Sequence, residues 1–265
     1  MSDSQEPGTP FSSSLPPPPP ADLTPPPPSY GAYGRPGAGR EPFRRVRALA
    51  KAIVVLQIVS IACSAVVLAL QVAVKDDADA YRAHQLTPEV FRHRLTPYFT
   101  AQLLLGTVGA ATIVLLIVWT YRMAANLDVL GRQPHTWRRG WGIGVWLLQG
   151  CTFSILPYLM LRELWRGSDP EVAPGDPTWK QRPISPLLQA WFAVNLAQLV
   201  AAAGSGTFAV GSFSVGRATD KIAEATGDRL PFIVSAAVLG AASTILLIAV
   251  VGQLTARHAA ATGDT

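Results

Sequence analysis

Five apolar runs of about membrane-spanning length divide the chain, and they constrain its fold more than any other feature. A helix needs about 20 consecutive apolar residues to cross the hydrocarbon core of a bilayer. The runs lie at about 50–74, 99–121, 141–162, 186–211 and 230–253. Only 15% of the residues are charged, whereas soluble domains carry about 25%. The sequence therefore predicts an all-α fold, a multi-pass transmembrane helical bundle.

A proline-rich tail precedes the first run. Pro16–Pro20 and Pro25–Pro28 are unbroken proline runs, and the segment has too little apolar surface to offset its ordering entropy. We predict a disordered tail at 1–42, a membrane helical domain at 43–255 and a short C-terminal tail at 256–265. Two interpretations of the N-terminal tail stay open: a docking site for a protein that binds proline-rich ligands, or a solvated extension.

Local signals predict several helix ends. The sequence Thr87-Pro88-Glu89 combines an N-cap residue, a proline at the first helical position and an acid in the first turn, which predicts a short surface helix over 88–95. Ser185-Pro186 predicts the start of the fourth run as a helix. Gly131 is a candidate C-cap after the second run.

Small residues recur at every fourth position on the last two runs. Such stripes allow close helix packing in lipid, either within the bundle or between copies of a homo-oligomer. They are Ala193, Ala197, Ala201, Ser205 and Ala209 on the fourth run, and Ala236, Gly240 and Thr244 on the fifth.

The third run, 141–162, is compatible with two topologies. It is long enough to span, but it contains Gly150 and Pro157, and a proline inside a helix removes a backbone hydrogen bond. If the run spans, the N-terminal side holds 13 of the 22 Lys and Arg; if it lies at the interface or re-enters, that side holds 15. The positive-inside rule favours the second topology, and length favours the first. We predict five membrane helices, with the path of the third left open.

A basic cluster before the first run predicts the orientation of the chain. Arg44, Arg45, Arg47 and Lys51 lie next to the first apolar residues. Because such clusters are retained in the cytoplasm, we predict a cytoplasmic N-terminus and location in the plasma (cell) membrane.

The stretch from Arg122 to Pro170 joins a basic turn to an aromatic-edged run that contains Pro157-Tyr158 and Glu163-Leu164-Trp165. This stretch resembles the signature of an actinobacterial membrane family, domain of unknown function 4328. The resemblance implies a multi-pass bacterial membrane protein and no known activity. The chain departs from the family pattern at Gly150 and at 153–155, where the family has a second proline and Asn-Leu-Trp. The matching positions are Asn126, Leu130, Gly131, Trp137, Trp141, Trp146, Pro157, Tyr158, Met160, Glu163, Leu164, Trp165, Ser168 and Pro170.

The same stretch supplies the candidate site, for which two interpretations stay open. Its tryptophans and tyrosine fit an interfacial aromatic belt. Glu163 forms either an exposed ion pair with Arg162 and Arg166, or a polar cluster with Asn126 and Arg122 that binds a lipid headgroup or small anion. The candidate residues are Asn126, Trp141, Pro157, Tyr158, Glu163, Trp165 and Arg166.

Three classes of function follow from these features. The first hypothesis is a membrane scaffold or interaction protein whose tail recruits a protein partner. The alternative is a small transporter or lipid-binding protein, which would use polar groups at membrane depth. The predicted spans other than the third have no charge at their centres, and their polar candidates are Gln57, Gln102, Asn195 and Gln198.

An enzyme is the least supported class, because no hydrolase, P-loop or CxxC motif is found. We expect no cofactor and no metal, since nothing else in the loop of His84 and His93 completes a ligand set. Cys63 and Cys151 lie inside apolar runs and fit small buried hydrophobes. The expected partner is the lipid bilayer. Nucleic acid is not expected, because no basic patch interleaved with aromatics occurs in the polar segments.

Overall fold

The computed structural model describes residues 43–204, 220, 222–224, 226 and 228–263. These residues belong to one compact unit, which runs from Arg40 to Thr265. They form α-helices and one short 3-10 helix, with no strand in the described ranges. The predicted tail at 1–42 lies outside the described residues, as do Ser205 and Ala209 of the small-residue stripe.

Four helices are long and apolar enough to cross a membrane: α1, α4, α7 and α8. The multi-pass helical bundle predicted from the apolar runs is therefore confirmed. The helices are α1 (Arg47–Ala73), α2 (Lys75–Arg82), α3 (Pro88–Arg94), α4 (Thr96–Val129), α5 (Trp141–Leu147), α6 (Ile155–Gly167), α7 (Pro186–Gly204) and α8 (Leu230–Thr262), and the 3-10 helix is Pro177–Gln181.

The four spans pack in the order α4, α1, α8, α7, so that α4 and α7 lie at the two ends of the row. Large apolar side chains on their outer faces are exposed, such as Leu103 at 73% and Val200 at 68%. Lipid tails are as apolar as these side chains, so such faces are satisfied by a bilayer. The buried core lies between the helices and includes Ile53, Trp119 and Leu254.

The third run does not span. The prediction of five membrane helices is therefore wrong, since the described residues contain four helices that could cross a membrane. The run folds as α5, a turn at 148–154, and α6, which we call the re-entrant hairpin. In the turn, Phe153 and Ser154 adopt left-handed backbone angles, with φ of 49° and 61°. Pro157 lies in the first turn of α6, where its missing N–H breaks no helical hydrogen bond. The proline therefore marks a new helix start instead of a kink in one spanning helix.

Both ends of the re-entrant hairpin lie at the same end of the bundle. Gly142 of α5 packs so closely on α4 that a Cβ atom there would lie 3.1 Å from the backbone nitrogen of Tyr121. At the end of α6, Ser168 contacts His258 near the end of α8. We call this side the basic end; it comprises residues 43–51, 122–140, 162–185 and 254–263.

Two spans are longer than predicted, and the predicted helix starts are confirmed. Helix α4 continues to Val129, beyond the predicted 121, and α8 continues to Thr262, beyond 253. Gly131 follows α4 with a left-handed φ of 68°. The Thr87 hydroxyl accepts a hydrogen bond from the Val90 amide at 3.4 Å, so the predicted N-cap of α3 is present. Helix α7 begins at Pro186.

The opposite end of the bundle is held by exposed polar contacts around a small apolar cluster. The Arg82 guanidinium makes two hydrogen bonds to the Asp228 carboxylate, at 2.8 and 3.0 Å. The Tyr81 hydroxyl donates to Asp220 at 2.6 Å. Beneath these contacts, Phe91 is fully buried, and it stacks on Tyr81 with ring centroids 4.7 Å apart.

Candidate functional site

Asn126 joins the start of the first span to the end of α4. Its side-chain oxygen accepts from the Arg44 amide at 2.8 Å, and its amide nitrogen donates to the Arg44 carbonyl at 2.9 Å. The Asn126 side chain therefore completes the backbone hydrogen bonds of a residue that precedes α1. Arg122, one turn earlier, donates to the Arg45 carbonyl at 3.0 Å. Together, the two residues clamp the segment that enters the first span.

His258 extends this contact to α6 and is fully buried. Its Nε2 lies 3.0 Å from the amide nitrogen of Asn126, and its Nδ1 lies 2.8 Å from the Ser168 hydroxyl. Because an amide nitrogen only donates, Nε2 accepts in this arrangement and the imidazole proton lies on Nδ1. The geometry therefore fits a neutral imidazole that links α4, α6 and α8.

Arg132 organises the loop after α6. Its guanidinium donates to four carbonyl oxygens at 2.6 to 3.1 Å. The side chain is 1% exposed. Burial lowers the pKa of Arg132, and the nearby Asp169 and Asp176 carboxylates oppose that shift. A buried charge is tolerated here because four polar acceptors surround it. The four carbonyls belong to Gly167, Asp169, Val172 and Ala173.

Asp169 adds a buried ion pair to the same end. Its carboxylate oxygen Oδ2 lies 2.8 Å from Arg182 Nε and 2.8 Å from an Arg257 terminal nitrogen. Arg257 also lies over the ring of Trp165, 5.0 Å from the centroid. Two arginines from distant parts of the chain thus neutralise one buried acid, and they connect the loop after α6 to the end of α8.

Glu163 binds backbone amides and not its arginine neighbours, so the ion pair with Arg162 and Arg166 is wrong. Its carboxylate accepts from the amides of Thr136 and Trp137 at 2.9 and 3.2 Å. Burial acts to raise the pKa of Glu163, but the His135 side chain and the two amides outweigh it, and the net pKa is lowered. No hydrogen bond joins Glu163 to Asn126 in the described ranges, so the predicted single polar cluster is divided into two contacts.

Four other candidate residues make packing contacts or hydrogen bonds with neighbouring parts of the chain. Trp141 packs edge-on against Trp137 at 5.4 Å, Pro157 is buried at the start of α6, and Tyr158 stacks on Phe192 of α7 at 4.5 Å. Arg166 donates to the Arg182 carbonyl at 2.9 Å. These contacts fix the re-entrant hairpin and its following loop against the spans.

A groove of about 990 Å³ opens beside this network at the basic end. We call it the arginine groove, because Arg138 and Arg139 line it with exposed guanidinium groups. Tyr121 and Trp141 form an aromatic side of the groove. Neither guanidinium group has a hydrogen bond or an ion pair with any described residue. The other lining residues are Asp128, Gln133, Pro134, His135 and Gly140.

Three of the four polar residues expected at membrane depth meet in a second cavity, the central cavity. Gln57, Asn195 and Gln198 line it together. The fourth, Gln102, lies on α4 outside this cavity, and its amide donates to the Tyr98 hydroxyl at 3.0 Å. The central cavity was not predicted as a unit, because the sequence does not show which helices are neighbours.

The sequence reasoning missed His258, Arg132 and Asp169. His258 was assigned to a short tail after the last span. One signal could have corrected this: no glycine or proline follows 253 until Gly263, so nothing ends the helix earlier. Arg132 and Asp169 carry no comparable signal, because single charged residues in loops are usually exposed.

The family model described as domain of unknown function (DUF4328) matches residues 82–256, two thirds of the chain. That range contains α3 to α7, the re-entrant hairpin and most of α8. No curated protein and no solved structure matches the chain.

Proposed function

We propose, for a chain that belongs to the DUF4328 family, that this membrane protein binds the phosphate of an anionic lipid headgroup in the arginine groove. The observation that carries the proposal is the pair of unpartnered arginines beside an exposed interfacial tryptophan. Trp141 is 46% exposed, as is usual for an aromatic residue at the headgroup level.

Charge supports an anionic ligand. Arg138 and Arg139 have no acidic partner among the described residues. Asp128 is the one acid among the described residues that line the groove, and it already has neighbours: its Oδ1 lies 2.9 Å from His135 Nε2 and accepts from the Gln133 amide at 3.3 Å. A phosphate placed between the arginines would form charge-assisted hydrogen bonds, which are the strongest that guanidinium groups make.

The orientation of the basic end is part of the proposal. With four crossings, the described segments of the basic end carry 13 of the 22 Lys and Arg, and these would share one side of the membrane. By the positive-inside rule, that side is the cytoplasm of a bacterial cell. The arginine groove would then face the inner leaflet of the plasma membrane, where anionic lipids attract basic residues by about 1 kcal/mol each.

Cysteine accessibility tests the orientation. Gln181→Cys lies at the basic end and Gln85→Cys at the opposite end, each in a background with Cys63 and Cys151 replaced by alanine. We expect an impermeant thiol reagent to label Gln85→Cys and not Gln181→Cys in intact cells. If only Gln181→Cys is labelled, the chain has the opposite orientation and the basic end lies outside the cell.

Retention of lipid by the purified full-length protein tests the binding. Native mass spectrometry in detergent with added phosphatidylglycerol measures the bound fraction. The double variant Arg138→Gln/Arg139→Gln should bind 10- to 30-fold more weakly, because two arginines near an anionic surface contribute about 2 kcal/mol. The matched control, Arg47→Gln/Lys51→Gln, removes the same charge at the same end outside the groove and should bind like the wild type.

Three outcomes decide the result. Equal losses in the double variant and in the control would mean a diffuse basic surface, which overturns the groove. Displacement of phosphatidylglycerol by inorganic phosphate at similar concentration would identify a free anion as the ligand. Resistance to phosphate would identify the lipid.

The scaffold hypothesis remains a prediction. It depends on the proline-rich tail at 1–42, which lies outside the described residues. The expected absence of enzymatic activity and the homo-oligomer also remain predictions. On α7, Ala193 and Ala197 are exposed, which leaves this part of the stripe accessible to a second copy.

A further inference from the structure

The central cavity lies between the four spans and the turn of the re-entrant hairpin. Its volume is about 340 Å³. Its polar lining consists of amides and hydroxyls, and no Asp, Glu, Lys or Arg from the described ranges reaches it. The four amides come from three elements: Gln57 of α1, Gln149 of the turn, and Asn195 and Gln198 of α7.

Much of this hydrogen-bonding capacity is unused. The Asn195 amide nitrogen donates to the Ser243 hydroxyl at 3.2 Å, but its buried side-chain oxygen has no partner in the described ranges. The side chains of Gln57, Gln149 and Gln198 likewise bond to no described residue. Since an unpaired polar group in an apolar environment costs several kcal/mol, the cavity favours an occupant that can form hydrogen bonds.

The central cavity is large enough to hold the polar head of a small ligand and not just water molecules. Ligand pockets in proteins are about 300–1,000 Å³, so the central cavity lies at the lower end of that range. Small residues on α8 create the space: a Cβ atom on Gly240 would lie 3.5 Å from the Gln198 side chain. The stripe of small residues thus opens the cavity in addition to bringing helices together.

The arrangement of the helices leaves access from the bilayer. The spans form a row with α4 and α7 at its ends, and these two helices share no extensive packing. Of the described elements, the re-entrant hairpin joins them, with α6 packed on both. Because the hairpin enters from the basic end, the described residues cover the gap between α4 and α7 from that end.

We propose that the central cavity binds the uncharged polar head of a neutral lipid, such as a diacylglycerol, with its acyl chains lying between α4 and α7. The glycerol hydroxyl can donate to the open Asn195 oxygen, and the ester carbonyls can accept from the glutamine amides. A charged head is disfavoured, because no counter-charge occurs among the described residues of the lining and a charge at membrane depth costs about 2.5–3.5 kcal/mol.

This inference goes beyond anion binding at the arginine groove and is independent of it. The two sites differ in depth, in charge and in lining residues, and they share none. The arginine groove variants therefore serve as an internal control for the cavity variants, and either proposal can fail alone.

Retention of dioctanoylglycerol by the full-length protein tests the inference. The bound lipid is measured by native mass spectrometry in detergent for the wild type and for Asn195→Leu. We expect about tenfold weaker retention in the variant, the equivalent of 1.4 kcal/mol. Gly240→Leu, which fills the cavity and leaves every polar group in place, should reduce retention at least as much.

The matched control is Gln102→Leu, which removes an intramembrane amide outside the central cavity and should retain dioctanoylglycerol like the wild type. The arginine groove double variant should also retain it. Equal retention by Asn195→Leu, Gly240→Leu and the wild type would overturn the site. The neutral-lipid class would be overturned if the wild type retained no dioctanoylglycerol. It would also be overturned if the groove double variant retained dioctanoyl-phosphatidylglycerol as well as it retains dioctanoylglycerol.

Discussion

At the basic end, one guanidinium is buried against four carbonyl oxygens, and one carboxylate is buried between two arginines. The described lining of the central cavity carries no charge, yet a buried Asn195 oxygen and three glutamine side chains have no partner in the described ranges. The two regions lie on the same helices, since α1, α4, α7 and α8 contribute to both the central cavity and the core at the basic end.

The difference separates stability from binding. Buried charges that are paired by the protein hold elements in place, and removing one partner leaves the others uncompensated. Buried neutral groups without partners lower the free energy of unfolding instead of raising it, but they can bind an incoming molecule. The predictions below follow this distinction, and each uses the free energy of unfolding in detergent unless another measurement is named.

The largest effect should come from Arg132→Met. The variant leaves four loop carbonyls without their donor, and an unsatisfied buried polar group costs about 1–3 kcal/mol. Because the loop can relax in part, we expect a total loss of about 3 kcal/mol or more. Denaturant titration followed by circular dichroism measures it. The matched variant Arg139→Met, at an exposed arginine, should stay within about 0.5 kcal/mol of the wild type. Equal losses would show that the Arg132 contacts do not stabilise the loop.

The next effect should come from Asn126→Leu. It removes the hydrogen bonds to both backbone groups of Arg44 and the contact with His258. We expect a loss of about 1–3 kcal/mol, because these groups remain buried without the amide. Proteolysis between the tail and α1 should also become faster, since the clamp on that segment is lost. Unchanged stability and cleavage would contradict the clamp.

A smaller effect is expected from pH at Glu163. The lowered pKa means that the folded state favours the carboxylate. Its contribution is fully present above the ordinary Glu value of 4.5 and is lost as the pH falls through the lower pKa of the folded state. Glu163→Gln should be less stable at neutral pH, and its free energy of unfolding should change less than that of the wild type as the pH falls below the ordinary Glu value of 4.5. A profile parallel to that of the wild type would remove Glu163 from the acid response.

The smallest effect should come from Asn195→Leu. The substitution exchanges an amide with an unpaired oxygen for an apolar side chain of similar size inside a membrane helix. The variant removes the unpaired oxygen but also the hydrogen bond to Ser243. Because these two effects oppose each other, we expect a change within about 0.5 kcal/mol, or a slight stabilisation. The same change from Asn to Leu would then lower the free energy of unfolding strongly at the basic end, at Asn126, and hardly at all in the central cavity, at Asn195. A loss at Asn195 as large as at Asn126 would erase the distinction between the regions.

Much of the bundle follows from the sequence, because bilayer thickness sets the length of a spanning helix. The runs that became α1, α4, α7 and α8 have the required length and apolar composition. Their starts are equally local: a proline in the first helical turn lies at the beginning of α4, α7 and α8. Length alone failed for the third run, because a composition suited to a span also suits two short helices joined by a left-handed turn.

The site was predictable as a neighbourhood but not as a set of contacts. The polar-cluster interpretation placed Asn126 and Glu163 on the same side of the membrane, and the structure has both at the basic end. Their partners come from residues 82 and 27 positions away in the chain, a separation that no local pattern reveals. For Glu163, the adjacent arginines were the expected partners, whereas the loop amides are closer in the folded chain.

By itself, the sequence determined that this protein crosses a membrane as a helical bundle with one strongly basic end, because hydropathy and charge act on each segment separately. The tertiary structure decided which polar groups are paired and which stay open. Asn126 and Asn195 are the same residue type in two apolar helices. One is satisfied by the segment before α1 and by α8, and the other faces a space that small residues on α8 leave empty. Pairing of buried polar groups depends on which helices are neighbours and how closely they approach, and that is a property of the packed bundle.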